Sequence, residues 1–531
     1  MSNQDQGAGP GAAGGVRWKL LIWPLAVLLL IVVLAVLWFW SVDSPQRQTP
    51  IHKTILTGLG ATLVSSLWFV VWLLLLSRLR WRARLGWLVV LVAGALFLGM
   101  SLEMKGLTGD AVPILGWRWA EGPGEAMPAA TVVSAEAGVG AATHSEHDYP
   151  QFLGPRRDGS VTEVRLSRDW PENLTPLWRQ PVGAAWSGFA VAGEYAVTQE
   201  QRGTEEAVTC YDLESGALRW VHSDKARWDD PLGGPGPRAT PTLVDGRVYT
   251  LGGTGLLNVL DLRSGELLWS KNVVEQSGAE PPTYGVSASP LIVGEAVVVP
   301  AGGPGGRSLV AYQRETGERL WAGGNDGAAY SSPVLARLAD REMILLLGAK
   351  SVVGHDAEDG AVLWSYPWPP TEMVSQVLVL PGERLFVSSG YGVGAKLLSL
   401  RDRGPAGLEV ETIWESLAMK AKFTNVVHKD GFLYGLDDGI LACVDLSNGE
   451  RKWKGGRYGH GQLILVHDLL LVLAEDGRMV LVHAVPDGHR ELGVFGALEG
   501  KTWNHPALAG SKLVVRNDRE AACYELPLES D

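Results

Sequence analysis

Four side chains that could bind an anion occupy similar places in the sequence, each shortly before a run of apolar residues. They are Arg238, Lys422, His460 and His505. If the first strands of repeated units line a narrow central channel, these four residues converge there. Charged groups in such a channel need partners or water, so together they could receive a carboxylate or another anion. Hydrogen-bonding side chains at the same kind of position extend this candidate small-molecule site to Ser289, Asn425 and Asn504.

A structural role is the alternative for the same residues, and we expect it. Small hydroxyl and amide groups satisfy backbone donors and acceptors wherever strands crowd together. The site would then be a water-filled axis that no ligand uses. We predict no catalytic residue and no metal ligand in the chain.

Paired carboxylates occur at Asp229-Asp230 and at Asp437-Asp438. Such pairs can serve as general acid and base. Aspartate in turns between strands more often hydrogen-bonds to the local backbone. We therefore interpret both pairs as structural, and we find neither a G-x-S-x-G elbow nor an H-E-x-x-H helix in the sequence.

Composition excludes several other classes of protein. The chain has 531 residues with 46% hydrophobic and 20% charged, which excludes a disordered chain. A net charge of −12 has the wrong sign for a general nucleic-acid binder, so no nucleic-acid partner is expected. Three scattered cysteines cannot form a disulfide framework or a zinc ribbon.

The elements that position the candidate residues are repeats of about fifty residues. Asp212–Trp220 recurs at Asp261–Trp269 and at Asp445–Trp453. In each copy a polar turn with glycine leads to a short strand that ends in tryptophan. Apolar hairpins separate the copies, so each unit has four strands.

One aromatic residue closes each unit, and burial of a large ring against the next sheet would hold neighbouring sheets together. The eight aromatic positions are Trp178, Trp220, Trp269, Trp321, Trp364, Trp414, Trp453 and Phe495. They predict eight sheets. A strand near Pro176–Pro181 would complete the last sheet and remove the open edges of a linear array, which gives a ring. The fifth unit is irregular, because Arg401–Leu408 replaces the usual turn.

The units around Trp220, Trp269, Trp364 and Trp453 resemble the tryptophan-docking repeats of pyrroloquinoline-quinone (PQQ)-type propellers. The resemblance covers about Tyr149–Pro527, and the opening Tyr149–Gly159 is similar to membrane-tethered, uncharacterised bacterial members. The resemblance implies an all-β eight-bladed propeller. Its family includes quinoprotein alcohol and sugar dehydrogenases, which hold the quinone over calcium, and also the non-catalytic lipoprotein of the outer-membrane barrel-assembly machinery.

Three uncharged runs precede the propeller, at about 20–40, 55–76 and 85–102. Each is long enough to cross a bilayer as a helix. Arg17 and Lys19 before the first run, and four arginines between the second and third, predict a cytoplasmic location for both flanks. The predicted organisation is a three-helix membrane anchor at 1–104, an Ala/Gly/Pro-rich linker at 105–149 and a propeller at 150–531. The linker contains an apolar segment at 112–119.

The expected protein is therefore a multi-pass protein of the cytoplasmic membrane whose propeller lies on the periplasmic side. We expect a non-catalytic scaffold that presents one propeller face to a protein partner and needs no cofactor. The alternative is a PQQ- and calcium-dependent alcohol or sugar dehydrogenase that passes electrons to membrane quinone. A third possibility is a sensor whose ligand binds in the channel.

Overall fold

The computed structural model describes residues 65–66, 68–110, 113–119, 145–171, 173–230 and 232–529. It divides into two compact units, with 1–104 and 110–119 in one and 105–109 and 120–531 in the other. The predicted span 20–40 and half of the predicted span 55–76 lie outside the described residues. The predicted eight-sheet region lies almost entirely within them.

One helix among the described residues is long and apolar enough to cross a membrane, judged by length and composition. This helix, α1 (Trp81–Ser101), overlaps the predicted span 85–102 and begins four residues earlier. A π-helical turn at Trp72–Leu76 precedes it. Strand β1 (Leu102–Leu107) follows across the boundary between the predicted anchor and the predicted linker, and β2 (Pro113–Trp117) lies within the predicted linker.

Thirty-five further strands and a short helix follow. Two short strands come first, β3 (Ser160–Val161) and β4 (Trp178–Pro181). Sheet 1 contains β5 (Ala190–Ala192), β6 (Tyr195–Arg202), β7 (Glu205–Asp212) and β8 (Leu218–Asp224). The small pair β9 (Asp229–Asp230) and β10 (Gly234–Pro235) precedes sheet 2, with β11 (Thr242–Val244), β12 (Arg247–Leu251), β13 (Leu256–Asp261) and β14 (Leu267–Asn272). Helix α2 (Val273–Ser277) precedes sheet 3, with β15 (Leu291–Val293), β16 (Ala296–Gly303), β17 (Arg307–Gln313) and β18 (Arg319–Gly323).

The later sheets have the same organisation. Sheet 4 contains β19 (Val334–Leu338), β20 (Arg341–Leu347), β21 (Ser351–Asp356) and β22 (Val362–Pro367). Sheet 5 contains β23 (Leu378–Leu380), β24 (Arg384–Ser389), β25 (Gly394–Asp402) and β26 (Leu408–Ser416), with a 3₁₀ turn at Gly404–Ala406. Sheet 6 contains β27 (Val427–Lys429), β28 (Phe432–Asp437), β29 (Ile440–Asp445) and β30 (Arg451–Arg457).

The last two sheets differ from the others at their edges. Sheet 7 contains β31 (Gln462–Val466), β32 (Leu469–Leu473), β33 (Arg478–His483) and β34 (Glu491–Gly496), and β3 adds to β31 in parallel. Sheet 8 contains β35 (Ala507–Ala509), β36 (Lys512–Arg516) and β37 (Glu520–Glu525). Its fourth strand is β4, with Trp178 opposite Cys523. The first strand of the repeat region thus completes the last sheet.

The core lies between successive sheets. Each of six hydrophobic clusters joins one pair, from sheets 1 and 2 through to sheets 6 and 7. The largest cluster joins sheets 7, 8 and 1, with Leu481, Val515 and Val191 among its members. Each sheet therefore packs against two neighbours, as in a propeller.

The repeated turn forms because aspartate binds its own backbone. Asp212 Oδ1 accepts the Ser215 N–H at 2.8 Å, and Gly216 follows with φ of 72°. That conformation suits glycine. Gln313 stands where the other turns have aspartate, and its Oε1 accepts the Thr316 N–H at 2.7 Å. A longer amide side chain therefore keeps the same turn.

Tryptophan from one sheet lies on the turn glycine of the next. A Cβ on Gly265 would lie 2.5 Å from the Trp220 indole, whose Nε1–H donates to Leu262 O at 2.9 Å. Four others make the same inter-sheet hydrogen bond at 2.8–3.0 Å, namely Trp178, Trp269, Trp414 and Trp453. Trp321 packs on Gly360.

Two of the eight predicted aromatic positions differ. Trp364 donates to Met343 Sδ at 3.4 Å within its own sheet, because the turn of sheet 5 lacks the aspartate–glycine pattern. Phe495 packs on Tyr524 with ring centroids 4.9 Å apart. Sheet 8 has no such turn on its outer edge, because its outer strand comes from the start of the repeat region.

Candidate functional site

The segments that lead into the first strand of each sheet are hydrogen-bonded to one another. In four cases a backbone N–H donates to a side-chain oxygen of the next sheet's segment. These bonds are Gly188 N to Thr240 Oγ1 (3.1 Å), Thr240 N to Ser289 Oγ (2.9 Å), Ser289 N to Ser332 Oγ (2.9 Å) and Gln376 N to Asn425 Oδ1 (2.8 Å). Ser289 and Asn425, both candidates for a ligand site, bind backbone here.

Four further bonds connect the remaining segments. The Tyr330 N–H donates to Met373 O, between sheets 4 and 5, at 2.9 Å. Gln462 Nε2 donates to Phe423 O at 2.9 Å and to Trp503 O at 3.1 Å, which links sheets 6, 7 and 8. Asn504 Nδ2 donates to Ser187 O at 2.7 Å. This last bond returns from sheet 8 to sheet 1, so the links form a closed series.

The closed series of segments surrounds a central axis. The segment Tyr149–Val161, which we call the plug, covers one end of this axis. Tyr149 exchanges backbone hydrogen bonds with Val191 of sheet 1, and Pro150 O accepts the Leu243 N–H of sheet 2 at 2.8 Å. At its other end, β3 pairs with sheet 7. The plug thus contacts sheets 1, 2 and 7.

Arg157 is the central residue of the plug and is only 4% exposed. Its guanidinium donates to Ser289 O at 3.1 Å, Pro290 O at 2.9 Å and Gln151 Oε1 at 3.1 Å. Burial lowers its pKa to about 9, so it stays protonated at neutral pH. Gln376 Nε2 donates to Arg157 O from sheet 5. Arg157 stands at no repeated position, so the sequence pattern gives no sign of this role.

His505 lies beside the plug. Its ring makes an edge contact with Phe152, with centroids 5.5 Å apart, and Nδ1 lies 2.9 Å from Pro506 O. Burial lowers its pKa to about 4, so the imidazole is neutral at pH 7. A neutral ring adds no positive charge for an anion. His505 therefore supports packing at this end.

The opposite end of the central axis is rich in aromatic and basic side chains, and we call it the mouth. It comprises Trp186, Lys422, Phe423, His460, Glu475, Lys501 and Trp503. The Trp186 and Trp503 rings lie 4.8 Å apart, and Phe423 lies 5.0 Å from Trp503 and 5.1 Å from His460. Lys501 Nζ lies 4.1 Å from the Trp503 centroid and 4.6 Å from the Trp186 centroid. Such cation–π contacts hold an ammonium group that is partly desolvated.

Carbonyl groups already engage the two lysines of the mouth. Lys422 Nζ donates to Gly109 O at 2.5 Å, and Lys501 Nζ donates to Leu107 O at 3.3 Å. Glu475 Oε1 accepts the Trp503 indole N–H at 2.9 Å. Sequence reasoning missed Lys501 and Glu475, since neither stands at a repeated position.

Arg238 is also engaged. It forms an ion pair with Asp230 at 2.5 Å and donates to Gly236 O at 2.7 Å and Gly234 O at 3.1 Å. Burial lowers its pKa, and the attraction of Asp230 opposes that effect. Asp230 thus neutralises a buried cation. This is a structural role for one of the two carboxylate pairs.

The other carboxylate pair has the same kind of role. Asp437 is fully buried and binds Arg451 at 2.8 Å, Lys454 at 2.6 Å and Lys420. Asp438 is partly exposed and pairs with Lys420 at 3.3 Å. The three cations therefore hold this buried carboxylate in a cluster of ion pairs, which is a structural role.

A quinone–calcium site is the arrangement that the alternative, a quinone-dependent dehydrogenase, would require. Calcium takes six to eight oxygen ligands, including carboxylates. Within the described part of the chain, no group of three or more His, Cys, Asp or Glu side chains is placed to hold a metal. The two indoles of the mouth could stack on a planar ring, but Lys501 already lies over both of them.

Comparison with known proteins supports a PQQ-like β-propeller fold. A family described as "Outer membrane protein assembly factor BamB" matches residues 204–455, a little under half of the chain. No curated protein matches the sequence.

A solved structure shares the fold at low identity. A "Europium-containing methanol dehydrogenase" is 14% identical over 70% of this chain and 90% of that one, with a TM-score of 0.53. BamB from Moraxella catarrhalis is 15% identical over 68% of this chain and 99% of that one, with a TM-score of 0.49. At these identities, the likeness concerns the fold alone.

Proposed function

Because this chain is a PQQ-like β-propeller protein, we propose that it is a non-catalytic scaffold that binds a protein partner at one face of an eight-bladed ring. The ring is inferred from the eight sheets, the closed series of inter-sheet hydrogen bonds and the strand β4 on sheet 8. We further propose that the N-terminal helices anchor it in the cytoplasmic membrane, with the propeller on the periplasmic side.

The observation that carries this proposal is that residues of the chain itself already occupy both ends of the central axis. At one end the plug covers the inner strands, and at the other the lysines bind carbonyl groups of the chain itself. Arg238 is neutralised by Asp230. The side chains that could receive an anionic cofactor therefore already have partners. Function is then expected at one face of the ring, where short loops offer a rigid surface.

Site-specific photo-crosslinking in intact membranes tests the proposal. A photoreactive residue at Tyr391, which is 50% exposed and lies beside Lys422, should give one reproducible adduct. The same residue at Leu267, on the outer strand β14, is the matched control at 40% exposure and should give none. Equal labelling from both positions, or none from any face, would contradict a specific scaffold.

A PQQ-dependent dehydrogenase is the second candidate. The observation that favours it is the aromatic cluster of the mouth, in which Trp186 and Trp503 lie 4.8 Å apart. The assay adds PQQ and calcium to the purified protein and measures dye reduction with alcohols and sugars. We expect no turnover above that of protein without quinone. Sustained turnover would replace the scaffold proposal.

A further inference from the structure

Residues of the chain's own N-terminal region occupy the mouth. Lys501 binds Leu107 O at 3.3 Å and Lys422 binds Gly109 O at 2.5 Å. Glu475 Oε1 accepts the Gly109 N–H at 2.5 Å. Side chains associated with sheets 6, 7 and 8 thus hold Leu107–Gly109, which we call the latch.

These three contacts use only main-chain atoms of the latch, so most side chains at its positions would be tolerated. Gly109 is the exception. A Cβ there would lie 2.3 Å from His460 Cδ2 and 2.5 Å from His460 Cγ. Gly109 has no positive φ, so the His460 ring, rather than backbone strain, restricts this position to glycine.

The binding groups are positioned independently of the latch. Glu475 is fixed by the Trp503 indole N–H at 2.9 Å and the His460 N–H at 3.0 Å. Lys501 lies over Trp503, and Lys422 Nζ lies 4.8 Å from the Tyr391 centroid. Departure of the latch would therefore leave a formed site with two ammonium groups and one carboxylate.

We propose that the mouth is a binding site for an extended peptide with glycine at one position, and that the latch is its intramolecular occupant. The inference rests on the proposed scaffold function and adds the class of partner. A partner peptide would offer two carbonyl groups to the lysines and one N–H to Glu475. Because the latch is tethered, it lowers the apparent affinity for any external peptide.

The test uses the full chain in detergent and a fluorescent, capped peptide with the sequence of residues 105–110. Gly109→Ala should expel the latch, because the new Cβ would clash with His460. The peptide should then bind at least tenfold more tightly than to the unaltered chain, as measured by fluorescence anisotropy. Gly99→Ala is the matched control, because a Cβ there meets nothing within 4 Å, and should leave the affinity unchanged.

Two further arms test specificity. A peptide with alanine at the position of Gly109 should not bind either form. Lys422→Gln added to Gly109→Ala should abolish the gained affinity, because one carbonyl loses its donor. Equal affinity of the peptide for the unaltered chain and for folded Gly109→Ala would overturn the proposal.

Hydrogen exchange on the unaltered chain gives a readout that needs no variant. The Gly109 amide is bonded to Glu475 and should exchange slowly. Millimolar capped peptide should speed its exchange by displacing the latch. Unchanged exchange would overturn the inference. If a specific crosslink from the propeller face still forms, the scaffold proposal stands and only the peptide site fails.

Discussion

Replacement of Trp269 tests whether aromatic docking holds neighbouring sheets together. Its indole is 9% exposed, lies on Gly317 of sheet 3 and donates to Arg314 O at 3.0 Å. Trp269→Ala would remove this contact and leave a cavity between sheets 2 and 3. We expect a loss of about 3 to 5 kcal/mol in the free energy of unfolding.

The hydrogen bond can be separated from the packing with phenylalanine. Trp269→Phe keeps most of the ring but leaves Arg314 O without its indole donor, at a cost of about 1 to 3 kcal/mol. Trp364→Phe is the matched control, because its N–H binds only Met343 Sδ within the same sheet. Thioether sulfur is a weak acceptor. The control should therefore cost less.

Urea unfolding of the full chain in detergent, followed by near-ultraviolet circular dichroism, measures these differences. Trp269→Phe should lower the free energy of unfolding by at least about 1 kcal/mol more than Trp364→Phe does. Equal costs for the two would show that the inter-sheet hydrogen bond contributes nothing. A loss below about 1 kcal/mol for Trp269→Ala would refute the docking argument as a whole.

Three other perturbations have defined outcomes. Asp437→Asn should lower the free energy of unfolding in urea by about 3 to 5 kcal/mol, because it leaves three part-buried cations without their carboxylate. Asp438→Asn, at the partly exposed neighbour, should lower it by less than about 1 kcal/mol. Gly317→Ala should lower the melting temperature, because φ is 70° and a Cβ would lie 2.8 Å from Trp269; an unchanged value would contradict the contact. The pKa of His505, lowered by burial to about 4, means that the folded state resists protonation, so stability should fall by about 3 kcal/mol as the pH drops from 6.5 to 4. His505→Gln should remove that part of the pH dependence, and an unchanged pH profile would show that His505 is not the group responsible.

The repeat was predictable from sequence because its turn is local. Asp212 and Gly216 lie four residues apart, and their roles follow from hydrogen bonding and φ preference alone. Trp364, which does not dock on the next sheet, was predictable only in part. The sequence shows the irregular turn of sheet 5, but not that the indole would bind Met343 within its own sheet.

The ends of the axis were not predictable, because their contacts join distant parts of the chain. Arg157 meets Ser289 and Pro290 through backbone carbonyl groups, which every residue has and which therefore leave no mark on the sequence. Gly109 meets His460 across more than three hundred residues in a region that the composition indicates is a linker. Ser289 and Asn425 were placed near the axis by the repeat, yet their partners depend on the register of neighbouring sheets.

The two ends of the axis differ in how firmly they are closed. The plug is held by strand pairing with sheet 7, by backbone bonds of Tyr149 to sheet 1 and by the buried Arg157. The latch is held through its main chain by polar contacts that are each worth about 0.5 to 3 kcal/mol. Displacing the plug would also expose a buried cation and open a sheet edge, whereas displacing the latch exposes two lysines that water can solvate. A ligand that reaches the axis should therefore enter through the mouth.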